Sequence, residues 1–485
     1  MRIWIDVEDL FQYAANTSRP SGIQRLAFEL QRALLALAPD EVRFVRHNAS
    51  TKDFVAVPFA DIAALFANLT ATAPSRPAAA PALQEDGSPA LPPAGPARRL
   101  GRRVMARFSP EVASPLRRFR THQVQALRDL RDAARIALRR NGFGPKDHIR
   151  PVAAETEPAF KNCAAPGDWL LCLGSPWFMH DYAERISAAC AQYGLRFAVL
   201  LYDIIPLRRP EWCDRNLVKS FRVWFNNILP LADRLLSISR TTAEDVERYV
   251  VENDLVLRSH VQPIPLGTGF GEAPPPVRSP RLPPAKTFAL IVSTIEARKN
   301  HVLLFRIWRE LLAVMPRDQV PTLVFAGRVG WLVADLMQQL ENANWLDGKI
   351  LLIEEPGDGE LAALYEDCLF TLYPSLYEGW GLPVSESLIH GAPCLAARCT
   401  SLPEAGGRYA RYFDPDNLHD AVRAVQLLLD DPASLESWRE EIQEFRRNPP
   451  GWEDSAAATL RLLRQPEPAS TPLKEHASPA PAGTC

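Results

Sequence analysis

At 485 residues, the chain is long enough for two domains with sizeable cores and further extensions. A formal net charge of −2 argues against a general polyanion binder. Eight scattered cysteines, with no C-x-x-C pair and no Cys/His metal spacing, argue against a disulfide frame or zinc site and fit reduced core thiols. The opening MRIWIDVEDLFQY carries acids where an export signal is apolar, and no run nears the roughly 20 apolar residues of a membrane span. A soluble or peripheral cytoplasmic protein is expected.

RIWIDV (Arg2 to Val7) alternates and is β-rich, which suits a first strand. RPSGIQR then turns at Ser21 and Gly22 into a helix from Ile23 onward. Gly22 sits where a strand-to-helix loop could approach a ligand closely, although a plain helix-starting turn fits the same residues. Arg25 is either a substrate contact or an exposed helix residue. Residues 70–97 are Ala/Pro-rich and read as a linker with little to bury. Thirteen arginines follow between Arg98 and Arg140, and Leu127, Leu130, Ala134 and Leu138 recur at helical spacing. Three readings fit the 98–141 insertion: a solvated helix packed on the domain, a contact with anionic lipid headgroups, or nucleic acid. Nucleic acid is the poorest fit, because no stacking aromatics accompany the arginines.

Regular α/β alternation resumes at GDWLLCLGSPWF, with a helix over 181–193. A buried strand from Phe197 to Tyr202 ends at Asp203, and the carboxyl ends of strands are where open α/β sheets place ligands. Asp203 and Arg208 are therefore candidates for orienting a polar acceptor, with a turn-capping Asp as the alternative. A strand from Arg234 to Ile238 leads into a helix capped by Thr241 or Thr242. Residues 1–270 are expected to form the first domain and the proline-rich 271–286 a hinge. Residues 287–464 are expected to form the second domain, with a disordered tail over 465–485.

The second domain opens with the strand FALIVST, followed by Arg298, Lys299 and a helix near Asn300. Two cations at a helix start oppose its dipole, which favours an anionic ligand such as a diphosphate over idle exposure. Near the C-terminal end, FTLYPS is a strand, and Gly379 and Gly381 open a helix that stops at Gly391. A glycine turn feeding a helix presents backbone N–H groups from Gly379, Trp380, Gly381 and Leu382 to an anion. Glu378 and Glu386 lie eight residues apart, one before that helix and one inside it; an ordinary crossover with two solvated acids has the same spacing.

The stretch EGWGLPVSE resembles the E-x7-E signature of the retaining glycosyltransferases of family 4, and TSLPEAGGRYARYFDP is similar to that family's continuation. STIEARKNH, YDIIPLRRPEW and RPSGIQR resemble its donor-phosphate, mannosyl/rhamnosyltransferase-like and first glycine-loop segments. The resemblance covers both domains but not residues 70–150. It implies a GT-B fold, α/β, with two doubly wound Rossmann-like domains facing across a cleft. It further implies hexosyl transfer from a nucleoside-diphosphate sugar, GDP-mannose by preference, to a glycan or lipid-linked glycan in surface polysaccharide assembly, without cofactor or metal. By the same resemblance Arg298 and Lys299 face the diphosphate, Glu378 holds sugar hydroxyls, Glu386 the ribose, and the base lies near Ile353 to Asp358. Relatives carry a His before the strand-end Asp where this chain has Tyr202, so that residue's role does not transfer. A nucleotide-sugar epimerase and an inactive scaffold are the alternative readings.

Overall fold

The computed structural model describes residues 1–15, 17, 19–48, 53–71, 160–271 and 275–466. The arginine-rich segment, nearly all of the linker and the tail beyond 466 lie outside the described residues. Thr70, expected in the linker, belongs instead to a helix, Phe59–Ala71.

The first sheet has seven strands: β1 (Ile3–Asp6), β2 (Val42–His47), β3 (Phe54–Ala56), β4 (Trp169–Cys172), β5 (Arg196–Leu201), β6 (Arg234–Ser237) and β7 (Val261–Pro263). Their order is β3-β2-β1-β4-β5-β6-β7, parallel except for the β2–β3 pair. The second sheet contains β8 (Phe288–Val292), β9 (Thr322–Ala326), β10 (Ile350–Ile353), β11 (Thr371–Tyr373), β12 (Cys394–Ala397) and β13 (Arg411–Phe413). It runs β10-β9-β8-β11-β12-β13, parallel throughout. Runs such as WLLC and FALIV are apolar at every position because helices cover both faces of a parallel sheet. Along β8, Ala289 and Ile291 enter one core while Phe288 and Leu290 enter the other, as the two-residue period requires.

Among the helices of the first half are α1 (Glu8–Ala14), α2 (Gly22–Leu37), α3 (Phe59–Ala71), α4 (Tyr182–Tyr193), α5 (Arg215–Ile228) and α6 (Arg240–Glu252). Among those of the second half are α7 (His301–Val314), α8 (Asp358–Asp367), α9 (Leu382–Ile389), α10 (Leu418–Asp430), α11 (Pro432–Arg447) and α12 (Trp452–Arg464). The cap of α6 is Ser239, not Thr241 or Thr242: Ser239 is extended (φ −155°, ψ 160°), and its Oγ accepts from the Thr242 N–H at 3.0 Å. Extended backbone at the cap is what lets the hydroxyl turn back onto the helix amides.

Helix α12, expected in the second domain, packs on the first. Trp452, Ala456, Leu460 and Leu463 recur on one helical face and join the core under α2. Trp169 Nε1 donates to the Leu463 carbonyl at 3.0 Å, and the Gly267 N–H donates to Ser455 Oγ at 2.9 Å. Gly267 has no room for a side chain, since an added Cβ would fall 2.6 Å from Trp452 Cδ2. The chain thus crosses between the sheets twice, near Gly271 and again near Pro450. Residues 277–286, expected in the hinge, are strapped to α8. Val277 N–H donates to Gly359 O at 2.8 Å, Arg278 pairs with Asp367 at 2.7 Å, and Arg281 pairs with Glu360.

Candidate functional site

Both sheets reverse their strand order at one place, between β1 and β4 in the first and between β8 and β11 in the second. Loops at the carboxyl ends diverge there and leave a crevice. At the second switch point, Asn300 takes the left-handed conformation (φ 57°), and its side chain donates to Pro374 O at 3.2 Å, drawing the two loops together. Leu376 N–H donates to the Arg298 carbonyl at 2.9 Å, closing the same link.

Those loops bring Arg298, Lys299 and Glu378 into one cluster. Arg298 Nη1 donates to Glu378 Oε2 at 2.6 Å and to the Tyr377 carbonyl at 2.6 Å, and its Nη2 reaches Glu296 Oε1 at 2.7 Å. Lys299 Nζ donates to Glu378 Oε1. Burial alone would raise the Glu378 pKa, but Arg298 and Lys299 outweigh it and hold the carboxylate at about 2. Burial and the adjacent Arg298 push Lys299 below its ordinary value. Two cations and two carboxylates therefore share a largely desolvated volume, with Glu296 the member that the sequence did not single out.

The turn after Glu378 starts α9. Gly381 has φ 118°, a conformation open to glycine, and a Cβ there would also meet Leu402 at 2.6 Å. Thr400 Oγ1 accepts from the Glu378 N–H at 3.0 Å, while Ser401 Oγ donates to the carbonyls of Glu378 (2.9 Å) and Trp380 (2.8 Å). The Trp380 ring packs against both cores and lines a cavity of about 250 Å³ with Arg240, Pro265 and Glu404. Its indole nitrogen is buried with no hydrogen-bond partner among the described residues.

The first domain meets this turn directly. An added Cβ at Gly379 would fall 2.2 Å from the Tyr202 carbonyl and 2.9 Å from Asp203 Cβ. Asp203 accepts from the Ile205 N–H at 3.0 Å, so it does cap the turn, the alternative to the acceptor contact expected of it. Burial raises its pKa, and the charges of Arg298, Glu378 and Lys299 are all close enough to act on it. Gly22 opens α2 facing the start of α9, with room for a Cβ only 3.1 Å from Leu382 Cδ1. Arg25 reaches the second domain as well, lying 3.4 Å from Asp358. Glu386 accepts from Tyr365 OH at 2.9 Å, and burial raises its pKa against the opposing charge of Arg25.

Two expected residues stand elsewhere. The Ile353 side chain is buried in the core beneath β10, and its carbonyl accepts from the Gly327 N–H at 3.0 Å; neither group is presented to a ligand. Arg208 pairs with Glu252 at the far side of α6's end, and its Nε and Nη2 are buried without partners among the described residues. The Tyr202 hydroxyl turns inward and donates to Leu173 O at 2.6 Å, which makes it a packing residue. Sequence reading also passed over Asp9. It lies in the first turn of α1, three residues past β1, and accepts from the Ser175 N–H at 2.9 Å.

With this geometry in place, residues 277–445 match the family described as glycosyl transferases group 1. The chain is a GT-B protein with a group 1 glycosyltransferase domain. It is 28 % identical over 242 residues to the serotype-specific mannosyltransferase WbdA of Escherichia coli, covering 47 % of this chain and 29 % of WbdA. The chain thus spans under a third of the length of that relative. It is 29 % identical over 283 residues to the O-antigen chain mannosyltransferase B of E. coli, covering 54 % of this chain and 69 % of that protein. HepE of Anabaena, crystallised with UDP, superposes on 96 % of this chain and 99 % of its own with a TM-score of 0.50 at 11 % identity. That likeness is one of fold. No helix among the described residues is long and apolar enough to cross a membrane.

Proposed function

We propose that this GT-B chain is a retaining hexosyltransferase that moves mannose or a related hexose from a nucleoside-diphosphate donor to a hydroxyl of a glycan or lipid-linked glycan. The observation that supports this most is the Arg298–Lys299–Glu378 cluster beside the α9 N-terminus, with Asp203 of the other domain against the same turn. In such a transfer the C1–O bond to the diphosphate breaks and the acceptor oxygen bonds C1 on the same face, while the hydroxyl proton passes to the departing phosphate. Charge develops on the diphosphate, and Arg298, Lys299 and the amides from Gly379 to Leu382 are placed to meet it. Glu378 would then release part of its hold on the cations and take sugar hydroxyls, Glu386 would take the ribose, and Asp203 would orient the acceptor. The charge is met by protein groups alone in this reading, so transfer should persist in EDTA.

The names of WbdA and mannosyltransferase B support mannose as the sugar and an O-antigen chain as the setting; GDP as the carrier and the cytoplasmic face of the membrane as the place are part of the proposal. The test is thermal stabilisation of the purified protein by a panel of GDP-, UDP- and dTDP-sugars, beside an Arg298→Ala/Lys299→Ala variant. A selective rise abolished in the variant is expected. No rise with any nucleotide overturns the donor site and favours a scaffold.

A further inference from the structure

Two tryptophans from opposite domains meet beside the reaction cluster. Trp212 ends a short 3-10 turn, Pro210–Trp212, beyond β5, and Trp331 stands in the loop beyond β9. Trp331 Nε1 donates to the Trp212 carbonyl at 2.9 Å, so the indole is held by its edge. The residue is still 46 % exposed, and its neighbour Leu332 is 60 % exposed. Leu332 also has φ 58°, a left-handed backbone that a bulky side chain seldom adopts. An apolar side chain kept both strained and in water gains little from packing. Strain of this kind collects at sites that hold a ligand.

Each tryptophan adjoins the cluster through its chain neighbour. Next to Trp212, Cys213 lies close enough to Asp203, Arg298 and Glu296 to feel their charges. The loop of Trp331 is pinned over the turn after β8: the Gly330 N–H donates to Ile295 O and the Ile295 N–H to Arg328 O, each at 2.9 Å. A Cβ on Gly330 would come 2.9 Å from Ile295 O and 3.7 Å from the Cβ of Glu296, whose carboxylate holds Arg298. Glycine at 330 lets the loop lie that close. A ligand on the indoles is thus continuous with one in the crevice.

The chemistry of the patch selects its occupant. An indole fixed at its edge presents a flat face with little freedom left to lose. Arg209 and Glu211 beside Trp212, and Arg328 before Trp331, are exposed and carry both signs of charge, so they offer hydrogen-bond donors and acceptors. A pyranose has C–H groups on its face and hydroxyls on its rim, and it matches both. An anionic bilayer would match the indoles but not Glu211.

We propose that the Trp212–Trp331 bridge is a platform for a glycan chain, on which a unit behind the reacting sugar stacks against Trp331 and Leu332. The inference rests on the transferase reading only for which unit reacts. It makes an oligosaccharide a tighter ligand than a single sugar.

The test compares methyl α-mannopyranoside with a linear mannose tetramer by saturation-transfer NMR on the purified protein, with nucleotide stabilisation measured in parallel. The variants are Trp331→Ala and Trp331→Phe; Phe keeps a stacking face and loses the bond to Trp212. The expected result is about tenfold weaker tetramer binding in Trp331→Ala and no more than about threefold in Trp331→Phe, with methyl mannoside and nucleotides unaffected. Tetramer binding that is absent or no tighter than methyl mannoside in wild type, or equal in wild type and Trp331→Ala, overturns the platform. So does equal loss in both variants, which would assign Trp331 to the interdomain bond alone. In each of those cases nucleotide stabilisation leaves the transferase reading standing. Nucleotide stabilisation missing while tetramer binding still depends on Trp331 overturns that reading and leaves a glycan site.

Discussion

Glu404 of the second domain accepts two hydrogen bonds from Thr241 of the first, from its N–H at 2.9 Å and its hydroxyl at 2.8 Å. The Arg240 N–H adds a third at 2.8 Å, so an acid from one domain caps the first turn of α6 in the other. Glu404→Ala should lower unfolding free energy by about 1 kcal/mol and enlarge the radius of gyration in small-angle scattering. Unchanged scattering and stability would show that the contact does not hold the domains together.

Glu378→Gln leaves Arg298 and Lys299 with one fewer buried anion and replaces one of the two acceptor oxygens they share with an amide donor. Transfer should fall by about 10²–10³-fold with the protein still folded. Steady-state transfer rates checked against thermal unfolding decide this, and wild-type rates in the variant would remove Glu378 from the chemistry.

Gly379→Ala tests how closely the domains must approach. Its Cβ would stand 2.2 Å from the Tyr202 carbonyl, a contact relieved only by moving backbone apart. A loss of about 1–3 kcal/mol in stability, with transfer lost as well, is the expected result by chemical denaturation and activity assay.

His47 and Asp6 form a buried pair at 2.8 Å. Burial works to lower the imidazole pKa, but Asp6 and Glu8 outweigh it and leave it above the ordinary 6.5. Because the folded value is the higher one, the stabilisation is complete below about 6.5 and is lost as pH rises through the raised value. Melting temperature should fall across that window in wild type and stay flatter in His47→Gln.

Trp452→Ala should cost about 3–5 kcal/mol, because the side chain fills the first core and its Nε1 donates to Gly269 O at 2.7 Å. Denaturant midpoints measure it. A loss under 1 kcal/mol would place α12 outside the cooperative core.

Much of the site was legible because its signals are local. Arg298 and Lys299 oppose a helix dipole, Glu378 precedes a glycine turn, and Asp203 ends an apolar run; each is visible within ten residues. What could not be read depends on distance in the chain. Nothing near Trp452 says that its partner is Gly269, 183 residues earlier, so α12 was placed with its sequence neighbours. Ile353 fails for a different reason: a strand's last residue can present either side chain or backbone to the loop above, and the two-residue period put this side chain in the core. Asp9 was hidden by α1, whose seven residues separate β1 from the glycine loop and draw no attention as a motif.

The return of α12 has a consequence during synthesis. The first sheet's seven strands are all made by residue 263, yet the helix that closes its α2 face begins at residue 452. At about 5–20 residues per second, a ribosome takes on the order of ten seconds or more to supply it. Throughout that interval Leu26, Leu30 and Trp169 face a vacancy, and the nascent chain has to keep that side covered until the entire second domain has emerged. Slowing or truncating translation between 270 and 450 should therefore leave the amino-terminal half dependent on chaperones.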